Sequence, residues 1–460
     1  MTELPPSSRL ELPTEAELPR ALATLGLPVL AEQMLTFCVG FFDVYLSGRL
    51  SSEATAAIGV AAYVSWLASM ISGLIGTGAA ALVARTCGGG DIEEARRITA
   101  RSLMLAAALG TIILAVLQLG APLFAMLLGM HGEAKRITIE FLRFDAFGQM
   151  FACGTLVAAA ALRGAGDMRT PLVVLGFTNI VNMLVSTSCV YGWGPMPELG
   201  VTGIVTGTLI AQASGLALML VMLRHPACRL RIRFADVRWH AETVRRVLRI
   251  GGPAAIDGTI TFTGHFLFLM VIARLSSEGF DGAVFAAHVI GVRVESLSYL
   301  PAVAWGHASA SLAGRLLGAN QPALAQKTGH IAVRQFLPYA MAVSLVFFVG
   351  APWIYAAMHS DPAVAAVGVP AFRWLAWYQV PNAILIIYVS TLRGAGDTRF
   401  PLWCALVSIL GVRVPMAYLC GIVLDQGLIG AWWGMGADNT LRALLLSWRY
   451  SAGRWLRVKV

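Results

Sequence analysis

The strongest constraint on this chain is an internal duplication. Six apolar stretches, at about 25–48, 54–84, 100–128, 138–162, 170–191 and 201–223, precede six more at about 251–273, 282–314, 330–357, 367–392, 401–423 and 427–447. The second set copies the first. GLPVLAE at Gly26 matches GGPAAID at Gly251, and GRLSSE at Gly48 matches ARLSSE at Ala273, both at an offset of 225. From there the offset is 230: RGAGDMRTP at Arg163 matches RGAGDTRFP at Arg393, Arg85 matches Arg315, Arg143 matches Arg373, and Gln149 matches Gln379. Five residues are therefore inserted near Gly279 to Ala283. A repeat of this length means one supersecondary plan built twice. Six crossings return the chain to its starting side, so both copies enter a membrane in the same orientation, related by an axis along the membrane normal. The expected fold is all-α and integral to the membrane: twelve transmembrane helices in two six-helix lobes related by an internal parallel repeat, with a central cavity between the lobes.

Composition agrees with this plan. A crossing takes about 20 apolar residues, so twelve use roughly 240 and leave no room for a large soluble domain. The chain of 460 residues is 57% hydrophobic and 13% charged, with mean hydropathy +0.71, against about half apolar and about a quarter charged in soluble domains. The net charge of +9 does not point to nucleic acid, because the basic residues cluster between apolar segments and read as orientation signals. The segments are a tail over 1–24, an N-lobe over 25–224, a basic linker over 225–250, a C-lobe over 251–448 and a second tail over 449–460. The first tail holds Glu3, Glu11, Glu15 and Glu17 and lacks the basic start of a signal peptide. With the linker in the cytoplasm, the loops carrying Arg96, Arg163, Arg315 and Arg393 and both termini are cytoplasmic as well, as expected of an inner-membrane protein. The seven cysteines have no CxxC spacing and read as packing residues rather than disulfides or a metal site.

The paired RGAGD(M/T)R(T/F)P loops, FFDVYLSGRL in the first span, ALVARTCGGGD after the second, and VRVPMAYL with GAWWGMGADNTLR near the end resemble the multidrug and toxic compound extrusion (MATE) family over nearly the whole chain. The resemblance implies an antiporter that exports bulky, amphipathic or cationic compounds in exchange for protons or sodium ions. It also places the chain nearer the DinF-like branch than the NorM branch. Cation coupling then falls on Asp43 in the first span, with Asn182, Ser186 and Thr208 beside it. Asn182 and Ser186 are four residues apart, on one helix face. The family often has Asp where Ser186 stands, so the site holds one carboxylate; that favours a proton, with sodium at Asp43 the other option. In the NorM-like branch the C-lobe uses acids at the places of Thr261 and Asn382, and neither residue ionises. Asp257, one turn before Thr261, is a candidate substitute.

Ionisable groups inside spans are costly, and by default functional. Glu32 and Asp257 occupy one repeat position, near helix starts, and His265 stands alone in an apolar stretch. With Gln149 and Gln379 they complete the candidates for coupling or substrate contact. Asp145 with Arg143, Arg293 with Glu295, and Asp438 with Arg442 read as internal charge neutralisation. The RGAGD loops read as tight turns, with Gly164, Gly166, Gly394 and Gly396 free to take positive φ and Asp167 or Asp397 capping the next helix. Trp374, Trp377, Tyr378, Trp432 and Trp433 are candidates for a cation-accepting wall.

A lipid or lipid-linked precursor flippase is the second reading; it would need a basic cavity, and no membrane-embedded Arg or Lys cluster stands out. An integral-membrane enzyme is the third, and HExxH, Asp-rich diphosphate and GxSxG motifs are all missing. The expectation is a monomeric transporter in the lipid bilayer with no cofactor beyond its coupling ion.

Overall fold

The computed structural model describes residues 12–48, 52–127, 129, 131–193, 196–233, 236–277 and 282–458; within these ranges the side chains at 43–45, 47, 48, 52–57, 60, 61, 127, 276 and 277 fall outside the description. All regular structure among the described residues is helical. In chain order the helices are α1 (Leu18–Gly48), α2 (Ser52–Gly88), α3 (Ile92–Leu127), α4 (Gly132–Gly164), α5 (Arg169–Tyr191), α6 (Val201–Arg224) and α7 (Ala241–Ser277). They continue as α8 (Ala283–Gly318), α9 (Pro322–Met358), α10 (Pro362–Trp377), α11 (Gln379–Gly394), α12 (Arg399–Ala405), α13 (Val414–Tyr418) and α14 (Gly427–Ser451). Wide π-helical turns over Leu406–Arg413 and Leu419–Val423 join α12 and α13 into one passage, Arg399–Val423. Among the described residues this makes twelve helical passages, eleven of them long and apolar enough to span a membrane when α10 and α11 are counted as one.

Two passages depart from simple apolar rods. The stretch expected as one span over 367–392 is broken at Tyr378, where α10 and α11 meet at 51°. Pro381, in the first turn of α11, has no N–H to give to a continuous ladder. The last passage, α14, is not among the helices apolar enough to count as a span by composition, because Asp438, Asn439 and Arg442 lie inside it; these groups are paired within the fold instead.

The chain forms two compact units, residues 27–255 and residues 12–26 with 256–459. In the first, α2 packs against α3 and α4, and α5 against α6. Its apolar clusters run from Leu46, Ile113 and Val205 at one end to Leu82, Val157 and Leu230 at the other. In the second, α8 packs on α9 and α11, and α14 on α10 and α11, around Phe268, Tyr355 and Phe372 and around Leu312, Leu392 and Leu446. Ile112, Val116, Leu119 and Leu123 on α3 are 52–84% exposed, a helical stripe of apolar side chains. In water this would be a liability; in a bilayer it is the lipid-facing surface.

Two segment boundaries move relative to the sequence reading. Helix α1 begins inside the expected tail, at Leu18, and Leu18 and Leu22 are fully buried in the second unit's core. Glu15 pairs with Lys327, and the Gln335 amide donates to the Pro19 carbonyl. Helix α7 likewise begins inside the expected linker, with Val247 and Ile250 buried in the first unit's core. The reason is the same in both places: each extension carries apolar residues at helical spacing. Gly251 lies so close to the Leu74 carbonyl of α2 that a Cβ there would overlap it. Gly251→Ala should therefore destabilise the protein by about 1–3 kcal/mol, the usual cost of overpacking, read as a lower thermal midpoint of the detergent-solubilised protein.

The cysteines are all free. Burial pushes the thiol of Cys228, in the loop before α7, above its usual range, in keeping with a packing role.

Candidate ion-coupling and substrate sites

Three of the four residues assigned to the N-lobe cation site come together. Asn182 and Ser186, one turn apart on α5, are buried and face α6. The Asn182 amide donates to the Thr208 hydroxyl at 3.0 Å, Thr208 donates to the Ile204 carbonyl at 3.1 Å, and Ser186 donates to the same carbonyl at 3.3 Å. Gly207 lets α6 approach, since a Cβ there would overlap Ser186. Asn182 Oδ1 is buried without a hydrogen-bond partner. An orphaned acceptor of this kind costs about 1–3 kcal/mol, and a bound cation or a protonated group would satisfy it. Asp43 lies in α1, but its side chain is outside the described residues.

Glu32 and Asp257 are engaged in matching ion pairs. Arg163 Nη2 donates to Glu32, and Arg393 Nη2 donates to Asp257; all four residues are repeat equivalents. The arginines of the two RGAGD motifs thus neutralise an acid buried about midway along α1 and α7, not near a helix start as the sequence reading had it, because both helices begin earlier than expected. This is the internal compensation a buried carboxylate needs, and it engages the carboxyl that stood as a candidate substitute beside Thr261. Thr261 itself donates to the Asp257 carbonyl at 2.9 Å, an ordinary helix back-bond.

The RGAGD turns divide their labour differently from expectation. Gly166 and Gly396 take φ of +89° and +94°. Gly164 and Gly394 remain helical and serve close packing, because a Cβ would meet Ala80 O at 2.5 Å or Ala310 at 2.6 Å. Asp167 caps α5, accepting from the Arg169 and Thr170 amides at 3.0 Å. Asp397 instead pairs with Arg449 at 2.8 Å.

In the C-lobe unit, Gln379 and Asn382 line a small void, with room for about one water, together with Ser298, Tyr299 and Tyr339. Gln379 is buried at the α10–α11 break, and its carbonyl accepts from the Ser298 hydroxyl at 2.8 Å. His265 is half-buried on α7. In the N-lobe unit, Gln149 donates to Asp145 at 3.2 Å.

The structure overturns two of the three charge pairings read from sequence neighbours. Residues two apart on a helix point apart. Arg143 and Arg293 are exposed while Asp145 and Glu295 are buried. Asp145 is held by the Ser65 hydroxyl at 2.6 Å and by Gln149. The third pairing holds and is larger than expected: Asp438, fully buried, meets Arg413 at 2.6 Å and Arg442 at 2.9 Å, and the Ser408 hydroxyl donates to it. Asn439 accepts from both arginines at 3.2 and 3.1 Å. An embedded arginine pair therefore exists, contrary to expectation. Arg413 lies at the end of a π-helical turn, where one extra residue re-aims the side chain.

Of the five aromatics read as a cation-accepting wall, Trp432 and Tyr378 are buried in packing. Trp432 is fully buried and donates to His288 at 3.2 Å, Trp374 donates to the Trp432 carbonyl at 3.2 Å, and Tyr378 is 2% exposed. Trp374 meets Trp433 edge-on, whereas Trp377 is 68% exposed beside Phe348.

Two lobes of duplicated helices, lipid-facing apolar surfaces and buried polar sites inside the helical units define a multi-pass membrane transporter. A family model described as MatE matches residues 28–187 and 253–419, one block in each half of the duplication, and the chain belongs to that family. Among curated relatives, a probable multidrug resistance protein NorM from Thermotoga maritima is 28% identical over 446 residues, covering 95% of this chain and 93% of that protein. The multidrug resistance protein PmpM from Pseudomonas aeruginosa is 27% identical over 451 residues, covering 95% and 92%. Among solved structures, an outward-facing multidrug resistance MATE family transporter of the MOP superfamily superposes with a TM-score of 0.87 at 21% identity, over 97% of this chain and all of that one. NorM names recur among the relatives, so the DinF-like placement is not supported.

Proposed function

We propose that this transporter exports bulky amphipathic or cationic compounds by alternating access of its two lobes, driven by inward flow of protons rather than sodium ions, with both termini in the cytoplasm of the cell that holds it in its inner membrane. The names of the relatives support drug export, and the family supplies the transport plan. The observation that carries the ion assignment is the α5–α6 site: the side chains described there, Asn182, Ser186 and Thr208, are all neutral. A sodium ion wants several oxygens and net negative charge, whereas a proton needs one carboxyl, here Asp43. Gln149, Gln379, Asn382, His265 and Thr261 are secondary candidates for substrate contact.

The test uses purified protein in liposomes at fixed membrane potential, with tetraphenylphosphonium as the cationic probe. Transport should follow an imposed pH gradient and ignore a sodium gradient; the reverse would assign sodium. A flippase reading draws on one observation, the embedded Arg413–Arg442 pair, which could face an anionic headgroup. Its charge is partly cancelled by Asp438, so export of cations is the favoured reading. Transfer of a fluorescent anionic lipid between leaflets, with no probe transport, would reverse that preference.

A further inference from the structure

We infer that Asp145 and Glu295 are a pair of pseudo-equivalent proton-binding sites, one in each lobe. The repeat offset of 230 places Ser65 opposite Glu295 and Gln149 opposite Gln379. In the N-lobe unit the carboxyl is on α4: Asp145, 5% exposed, accepts from Ser65 of α2 and from Gln149 of its own helix. In the C-lobe unit the carboxyl has moved to the position of Ser65, on α8, and Leu375 stands where Asp145 would be. Glu295, 8% exposed, lies beside Gln379: the Ser298 hydroxyl meets both the Glu295 backbone carbonyl at 2.6 Å and the Gln379 side-chain carbonyl at 2.8 Å. The two halves thus keep one acid and one glutamine at the same seam while exchanging which helix supplies the acid.

A buried carboxylate kept only for packing is normally ion-paired, as Glu32, Asp257 and Asp438 are. Among the described residues neither Asp145 nor Glu295 has an ion pair. Asp145 is faced by the Ser65 hydroxyl and the Gln149 amide, with Arg143 of its own helix turned outward. Around Glu295 stand Arg413 from the π-helical turn, already bound to Asp438, and the Tyr378 hydroxyl, which is buried without a partner. Arg442 on α14 is also committed to Asp438, Tyr339 of α9 lines the neighbouring void, His265 of α7 lies towards Arg413, and Tyr299 with exposed Arg293 shares α8. The water-sized void by Ser298, Gln379 and Asn382 gives a proton a polar approach to the Glu295–Gln379 pair.

An acid without a counter-ion at this depth alternates between a neutral form and a costly anion. Neutral Glu295 leaves Arg413 and Arg442 against Asp438 in this cluster, a net positive charge that disfavours a bound organic cation. Ionised Glu295 cancels that charge. Proton and cationic compound therefore compete for the same lobe, the requirement for exchange.

This inference rests on the proton-coupled reading and is tested so that the two can fail separately. Infrared difference spectra of the full-length protein, recorded over a pH titration, should show protonated-carboxyl bands of which Asp145→Asn removes one and Glu295→Gln another. Both variants should also lose pH-driven tetraphenylphosphonium transport in liposomes. Spectra unchanged in both variants overturn the inference, whatever transport does. Bands lost as expected, in a protein whose wild type ignores a pH gradient, keep the proton sites and overturn the antiport reading. If a neutral variant does not fold, Asp145→Glu and Glu295→Asp retain a carboxyl and should shift the titration midpoint of the matching band; an unshifted midpoint in both overturns the inference.

Discussion

Gradient-driven efflux is expected to fall to background in Asp43→Asn, while expression and monodispersity stay close to wild type. Asparagine is nearly isosteric with aspartate and can still hydrogen-bond, so the change removes the titrating group and little else. In the proposed cycle Asp43 takes up a proton while its lobe is open to the outside, and the loss of negative charge favours release of the cationic compound. Without a group that changes charge at this position, the Asp43 site no longer makes proton and compound prefer different states, and a ligand that binds two states equally shifts neither. The expected signature is loss of pH-driven transport of tetraphenylphosphonium in liposomes. Thr261→Ala and Asn382→Ala should be tolerated better, because neither residue ionises. If Asn382→Ala is inactive and Asp43→Asn is fully active, coupling lies in the C-lobe and the assignment is inverted.

The architecture was legible because hydropathy and duplication reinforce each other. Twelve stretches can be counted, and the register that pairs Arg163 with Arg393 also pairs Arg85 with Arg315, Arg143 with Arg373 and Gln149 with Gln379. The break at Tyr378 was not legible: Pro381 signals it, but the surrounding stretch reads as one span by hydropathy. Part of the candidate site was legible through positional resemblance, since Asn182, Ser186 and Thr208 do converge. The buried acids were misassigned for one reason, that proximity in sequence was taken as proximity in space. Asp145 beside Arg143 and Glu295 beside Arg293 look like neutral pairs on paper, yet at 100° per residue the two members face apart. Asp438 and Arg442, four apart, face the same way, and that pairing is present. The partner Arg413 lies on another helix, 25 residues earlier, and no local spacing rule could have found it. The Glu32–Arg163 and Asp257–Arg393 pairs were recoverable in principle: acid and arginine recur together in both halves, and two buried opposite charges that co-occur in each copy of a repeat are natural partners.

Asp438→Asn is expected to be the most destabilising single substitution among the buried charges. The native carboxylate, fully buried, is shared by Arg413 and Arg442, whose side chains are 9% and 12% exposed. Asparagine keeps an acceptor for Ser408 but leaves both guanidinium groups in the interior with no ion-pair partner among the residues described at this site. Removing one member of a buried pair costs about 3–5 kcal/mol, chiefly because the remaining charge is uncompensated, and here two charges remain rather than one. The thermal midpoint of the detergent-solubilised protein should drop sharply. The physical cause is separable from loss of shape. If uncompensated charge is responsible, Asp438→Asn combined with Arg442→Gln should be more stable than Asp438→Asn alone, since one buried cation has been removed with its anion. A double variant less stable than the single would mean that the arginine contributes through its packing and its bond to Asn439, and that charge balance is not what holds α14 in the C-lobe. The distinction bears on transport as well as on folding. The net charge of this cluster sets what Glu295 must cancel, so the double variant, which returns the cluster to its wild-type single positive charge without Asp438, should also restore part of the dependence of tetraphenylphosphonium binding on pH.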